Sequence, residues 1–446
     1  MAQNPDLLKK LFNAFDPKQP LPAGDPLYVD CREVRGDRDI LEELGREILL
    51  SDTMTCQLYI GHRGAGKSTE LLRLQQYLDS NGCFVVYFAA DEEDIEPEDA
   101  QHTDILLACA RHLLEALKDD ADPKPILNWL KNRLQGLKDL ALTEINLEGF
   151  EVELGISDFT KLTTKLKAEP GMRQKIREQV NPHTKDLITA LNQFISEAKK
   201  KLPSGYTQLL IIADNLDRIV PVVQGDGRTN HDHIFIDRNE QLKALAIHSH
   251  LIYTVPISMA YSAQASNLRD IYGDAQVLPM IMVRTREGEV YEPGLNIVKK
   301  VIGERINQIA PDLSLETDIF ENRETLDQLC LMSGGHVREL ILLVRGAIKR
   351  TDKLPIPLKS VQRAITEARD TYRRTVEHDQ WQILAEVSRS KSILNDNQYR
   401  RLLFNRCLLE YRYFDTEGEL QCWHDVHPLI KGIQEFKGAV QKLLPP

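Results

Sequence analysis

One stretch narrows the choice of fold more than any other. An apolar run, Cys56-Gln-Leu-Tyr-Ile60, leads directly into Gly61-His-Arg-Gly-Ala-Gly66-Lys67-Ser68. A helical pattern with Leu71, Leu72, Leu74 and Leu78 on one side follows. The loop fits G-x-x-x-x-G-K-[ST] without a mismatch and joins a buried strand to an amphipathic helix, the context this motif requires. Its glycines let backbone N–H groups turn inward around phosphate oxygens. The helix that opens near Lys67 adds its positive dipole end to the same anion site. The expected cradle is Gly61, His62, Arg63, Gly64, Ala65 and Gly66. Lys67 would bridge the β- and γ-phosphates, and Ser68 would ligate Mg²⁺. Thr69 would cap the helix or reach the α-phosphate.

A second element supplies the carboxylate that such a loop needs. Leu209-Leu-Ile-Ile-Ala213-Asp214 is an apolar strand ending in an acid. In α/β sheets ligands bind at the carboxyl ends of the strands. Asp214 is therefore expected to hold the Mg²⁺ of an ATP·Mg²⁺ complex. A strand-ending turn residue is the plainer reading, since Asp favours turns. The next residue is Asn215, which cannot accept a proton from an attacking water. Asp217 either substitutes for that base or pairs with a nearby arginine such as Arg218. Slow hydrolysis is the expectation. No N-K-x-D guanine reader is found where one is expected, which favours adenine.

The 446 residues are 42% hydrophobic and 28% charged, an ordinary globular composition. That length exceeds one core, so two or three structural units are expected. Strands are predicted at Cys56–Ile60, Cys83–Ala89, Gln208–Ala213, Leu251–Val255 and Val277–Val283. Helical patterns near Asp39–Leu50, Ser68–Leu78 and Thr103–Leu117 alternate with them. The fold class is α/β, a parallel P-loop NTPase sheet flanked by helices. Residues 118–200 are an expected insertion, with a possible hairpin at Glu144–Ile156. After about Pro293 only helices are predicted: Asn296–Ile309, Thr325–Met332, Val337–Arg350 and Leu358–Arg374. Two more follow near Gln380–Arg389 and Asn397–Glu410, then a hairpin, Leu408–Phe414 with Leu420–Val426. The expected domains are 1–292, with the insertion, then a helical lid at 293–375 and a winged-helix-like domain at 376–446.

Gly61–Ser68, Leu209–Arg218 and Ser333-Gly-Gly-His-Val-Arg338-Glu-Leu340 together resemble the AAA+ and STAND groups of P-loop ATPases. The resemblance covers residues 30–440 at the level of architecture. It implies that Arg338 approaches the γ-phosphate and reports ATP against ADP. An exposed helix arginine is the alternative. It also implies a polar sensor on the strand beside Asp214. Thr254 fits by position, as would a buried strand threonine. Tyr28–Val34 resembles the segment that covers adenine. The C-terminal hairpin resembles the winged helix of origin-recognition initiators and several STAND proteins. An arginine finger, which ring-forming relatives supply in trans, is not evident. Arg228, Arg238, Arg269 and Arg284 are candidates better read as solvated surface residues.

Two functions follow from the resemblance. One is a nucleotide-dependent switch that controls self-association or a separate effector protein, in roles such as bacterial defence. The other is an initiator- or transposition-type ATPase that grips duplex DNA. A small-substrate kinase fits the long helical tail poorly. The net charge of −11 argues against DNA binding by the whole surface. Arg400, Arg401 and Arg406 would favour DNA locally, while Asp415, Glu417 and Glu419 on the wing turn would repel it. The balance leans towards a protein partner.

The start is polar, no run reaches the roughly 18 apolar residues of a membrane helix, and a cytoplasmic protein is expected. The seven cysteines are scattered and suggest neither disulfides nor zinc. His231 and His233 read as a solvated loop rather than metal ligands. His424 and His427 read as packing or capping.

Overall fold

The computed structural model describes residues 5–134 and 155–443. Five strands form one sheet: β1 (Cys56–Gly61), β2 (Cys83–Ala89), β3 (Gln208–Asp214), β4 (His250–Pro256) and β5 (Gln276–Leu278). Their spatial order is β2-β3-β4-β1-β5. β2 and β3 pair in parallel from Cys83↔Gln208 to Ala89↔Asp214, and β3 and β4 from Leu210↔His250 to Ala213↔Tyr253. Every residue of β1 and β4 is buried, as are Leu209–Asp214 of β3. Strands covered on both faces need such continuous apolar runs, which is why they are legible without alternation.

β5 is shorter than the predicted Val277–Val283. The backbone beyond Leu278 finds other partners. Met280 N–H donates to Glu410 O at 3.1 Å, and Met282 N–H to Val34 O at 3.0 Å. Residues that look like a strand in sequence therefore spend their donors outside the sheet ladder.

The chain divides into two compact units. The sheet unit is Ile40–Ile60 with Leu74–Gln276. The loop–lid unit is Met1–Asp39, Gly61–Arg73 and Val277–Pro446. The chain thus crosses between units after Asp39, at the end of β1, within the helix Lys67–Ser80 and within β5.

In the sheet unit the predicted helix near Thr103 spans His102–Leu117 and buries Ile105, Leu106, Leu113 and Leu114. The insertion is helical where described: Lys124–Leu134, Ile156–Ala168, Pro170–Val180 and Thr184–Lys199. Arg173 and Arg177 fasten it, meeting Asp99 at 2.7 and 2.8 Å, and Arg177 also meets buried Asp104 at 2.5 Å. The hairpin expected at Glu144–Ile156 falls mostly outside the described residues. Ile156 itself opens a helix.

In the loop–lid unit, helices Glu292–Asn307, Arg323–Met332, Val337–Ile348 and Leu358–Thr375 follow one another. Val337–Ile348 buries Leu340, Leu343, Val344 and Ala347, and Leu358–Thr375 buries Val361, Ala364 and Ile365. Each large apolar side chain so buried contributes about 1.5–3 kcal/mol before the cost of ordering it. Helices Gln380–Ser390 and Asn397–Phe404 come next, then the antiparallel hairpin β6 (Leu408–Phe414) and β7 (Leu420–Val426). The helix from Asn397 ends well short of the predicted Glu410. Arg406 takes a left-handed φ of 62°, and β6 begins two residues later. Among the described residues, no helix is long and apolar enough to cross a membrane.

Candidate functional site

The loop Gly61–Ser68 lies between the end of β1 and the helix Lys67–Ser80, as its sequence requires. Gly64 and Gly66 sit at φ of 87° and 109°, where a side chain would be strained. Gly64 also has no room for one: a Cβ would lie 2.8 Å from His336 Cε1 and 3.0 Å from Arg338 Cβ. Lys67 is buried, and its ammonium donates to the carbonyls of Gly61 and His62 at 2.9 and 3.0 Å. The charge is thereby held inside the loop, on the concave side that its own backbone surrounds.

Partners from distant sequence hold the loop from outside. Arg35 Nη2 donates to Ala65 O at 2.7 Å. The Thr69 hydroxyl accepts the N–H of Leu21, which thereby occupies a group expected to cap the helix or meet phosphate. Tyr28, in the segment expected over adenine, donates to Glu70 at 3.3 Å, and Arg73 lies over its ring at 4.6 Å.

The lid turn docks on the same loop. Arg338 N–H donates to Gly64 O at 3.2 Å. His336 uses both ring nitrogens. Nδ1 accepts the N–H of Glu339 and caps the helix, and Nε2 donates to Arg63 O at 2.8 Å. Burial keeps this ring neutral, its pKa far below the usual histidine range. Gly335 permits the approach: a Cβ there would lie 1.8 Å from Ile281 O. Sequence reading singled out Arg338 and passed over His336. The available signal was His336 three residues before Glu339, a polar cap spacing at a helix start.

The hairpin reaches the loop as well. His62 is buried, and its Nε2 accepts the N–H of Glu410 in β6 at 3.1 Å. Burial lowers its pKa to about 3, the charge of Glu410 opposing that shift. Tyr411 donates to Gly334 O at 2.8 Å.

In the sheet unit, Asp214 is fully buried at the end of β3. Its Oδ2 accepts the Tyr87 hydroxyl at 2.8 Å, and its Oδ1 accepts Asn215 N–H at 2.6 Å. Tyr87 lies within a strand read simply as apolar, so its polar tip was missed. Asn215 adopts a left-handed φ of 64°, a conformation Asn tolerates well. Thr254 Oγ1 accepts Leu216 N–H at 3.1 Å and pins the turn after Asp214. Asp217 is buried in that turn, while Arg218 forms an ion pair with Asp91.

The remaining sequence candidates separate clearly. Arg228 pairs with Asp237 at 2.8 Å, Arg269 with Asp274 at 2.8 Å, and Arg284 donates to Gly288 O. Arg238 is exposed. His231 is not in a solvated loop: it is fully buried and bonded to Ile219 O at 2.9 Å. The polar segment reads as solvated because its apolar neighbours, Ile234–Ile236, come only later. His427 caps a short helix by accepting Leu429 N–H. Cys422 is not isolated. It brings its sulfur within 4.8 Å of ligand atoms of Glu410 and His424, although Arg412 already pairs with Glu410 at 2.5 Å.

No family profile matches the sequence, and no curated protein does. Solved structures of similar architecture do exist. The ORC2 protein of Aeropyrum pernix, in ADPNP–ADP complexes, is 12% identical over 96% of this chain and 98% of its own, with a TM-score of 0.45. Cdc6p of Pyrobaculum aerophilum is 12% identical over 97% and 98%, with a TM-score of 0.40. A Walker-type ATPase of Pyrococcus abyssi is 11% identical over 96% and 99%, with a TM-score of 0.43. With TM-scores below one half, what this chain does has to be read from its own residues.

Proposed function

We propose that this chain binds ATP·Mg²⁺ at Gly61–Ser68 and hydrolyses it slowly, as a nucleotide-dependent switch. The observation that carries the reading is the docking of the lid turn on the loop. His336 and Arg338 bond to the carbonyls of Arg63 and Gly64, so a phosphate-driven change in the loop passes directly into the lid helix. Lys67 and Ser68 would meet phosphate and magnesium, Asp214 would hold the metal through water, and Arg338 would sense the γ-phosphate. The donor set suits the ion: a strand-end carboxylate and a loop hydroxyl are hard oxygen ligands of the kind Mg²⁺ takes. Bound Mg²⁺ would neutralise phosphate charge. Asn215 stands where a catalytic base is wanted, so turnover below about 10 s⁻¹ is expected.

The basic residues that a DNA-gripping helix needs are largely committed elsewhere. Arg400 is buried and donates to Asn397 at 3.1 Å. Arg401 pairs with Glu377 at 2.7 Å. The wing turn is acidic. These features support a protein partner, either another copy or a separate effector, over duplex DNA. Light scattering of wild type and Lys67→Ala, with and without ATP·Mg²⁺ and duplex DNA, tests this. Assembly that needs ATP and ignores DNA supports the switch. Binding only with DNA favours the initiator-type reading. A monomer in every condition overturns both.

A further inference from the structure

The C-terminal hairpin gathers three different metal-ligand side chains on one face. Across the two strands Glu410 is opposite His424, and Arg412 is opposite Cys422. Side chains alternate along a strand, so these four share one side of the ribbon. Glu410 Oε2 and His424 Nε2 lie 3.6 Å apart, and the Cys422 sulfur is within 4.8 Å of a ligand atom on each. Glu410 and His424 are buried, whereas Cys422 is exposed.

The separation of Glu410 from His424 suits a shared ion better than a direct bond. An N–H···O hydrogen bond spans about 2.7–3.2 Å. Two ligands on one tetrahedral zinc, with bonds near 2.0 Å, stand about 3.3 Å apart. The sulfur would close by about 1 Å, through a small turn of an exposed side chain about its single torsion. Arg412 Nε holds the same carboxylate through its other oxygen, Oε1, at 2.5 Å. A ligating carboxylate ordinarily has such an outer partner, which orients it. With the thiol ionised, as metal binding requires, Glu410, Cys422 and Arg412 sum to one negative charge, which favours a cation. Thiolate and imidazole donors select zinc over magnesium.

We propose that Glu410, Cys422 and His424 bind one zinc ion, with water completing the tetrahedron on the exposed side. The ion would clamp β6 to β7. Because the N–H of Glu410 also bonds His62, it would steady the tie between hairpin and phosphate loop. The proposal stands whether or not the loop binds ATP. A Cys-x-His pair says little in sequence, since its third ligand comes from the opposite strand.

The test uses the full chain, free of nucleotide and stripped of metal by a chelator. Zinc, titrated in competition with a chromophoric chelator, should bind once per chain. Cobalt(II) in its place should give the near-ultraviolet charge-transfer band of a thiolate ligand and the visible bands of a tetrahedral ion. Cys422→Ser should lose the thiolate band and bind zinc about tenfold or more weakly. His424→Gln should keep the thiolate band and weaken zinc by a similar factor. Cys31→Ser should change neither. Melting curves without metal check that each variant folds, and zinc should raise the melting temperature of wild type but not of Cys422→Ser. A cobalt spectrum without the thiolate band, zinc affinity indifferent to both Cys422→Ser and His424→Gln, or loss of the band in Cys31→Ser would overturn the proposal.

Discussion

The imidazole of His62, the second residue of the phosphate loop, accepts the backbone N–H of Glu410 in the C-terminal hairpin at 3.1 Å. Both groups are buried. Removing the acceptor leaves a buried donor unpaired, at a cost of about 1–3 kcal/mol. His62→Ala should therefore lower stability by that amount in chemical denaturation. It should also speed nucleotide release, because the loop loses its tie to β6. His62→Gln carries an acceptor of similar reach and should recover part of both. Equal stability of His62→Ala and wild type would show that the bond is not needed.

Acid should unfold the loop–lid unit earlier than its carboxylates alone require. Burial lowers the pKa of His62 and His427 to about 3, from an ordinary value near 6.5, and holds that of His336 well below the ordinary value too. The unfolded chain binds these protons below pH 6.5 and the folded chain does not. Stability is therefore full above pH 6.5 and falls as pH drops towards 3. Each such histidine contributes a slope of about 1.4 kcal/mol per pH unit within that window. Glu339, whose pKa is raised by burial, works in the opposite direction. Denaturation midpoints at pH 7.5, 6.5 and 5.5 should show little change over the first step and a clear loss over the second. His427→Gln should have the shallower slope. A flat profile down to pH 5 would contradict the assignment of neutral buried rings.

Sequence carried the local part of this architecture well. Gly61–Ser68, the strand ending at Asp214 and the hairpin Leu408–Phe414 with Leu420–Val426 are visible because turn chemistry and apolar runs are properties of neighbouring residues. The contacts that dress the loop were not visible. Arg35, His336 and Glu410 reach it from 30, 273 and 348 residues away, as counted to Ala65, Arg63 and His62 respectively. Nothing in the pattern around Arg35 or Glu410 distinguishes them from surface charges. Tyr87 was hidden differently: its ring satisfies the apolar pattern of β2, while its hydroxyl serves Asp214.

Gly335 and Gly418 separate backbone strain from steric conflict. Both have positive φ, 74° and 81°. An added Cβ at Gly418 meets nothing within 4 Å, whereas at Gly335 it would lie 1.8 Å from Ile281 O. Gly418→Ala should cost about 1 kcal/mol, the conformational term alone. Gly335→Ala should cost more than about 2 kcal/mol and loosen the lid turn from the loop. Thermal melts of the two variants beside wild type decide it. Similar shifts would mean that the lid turn can move away from Ile281 without loss.

Arg338 contacts the loop in two separable ways. Its N–H bonds to Gly64 O through the backbone, and that bond survives any substitution except proline. Its side chain is the part expected to meet the γ-phosphate. Arg338→Ala should therefore leave the lid docked, with melting close to wild type. It should bind ADP nearly as tightly as wild type but ATP about tenfold more weakly, as expected for one lost charge-assisted contact. Equilibrium binding of both nucleotides to wild type and variant measures that ratio. If ATP and ADP weaken together, the side chain positions the loop rather than reading the third phosphate. Unchanged affinity for both would remove Arg338 from the site.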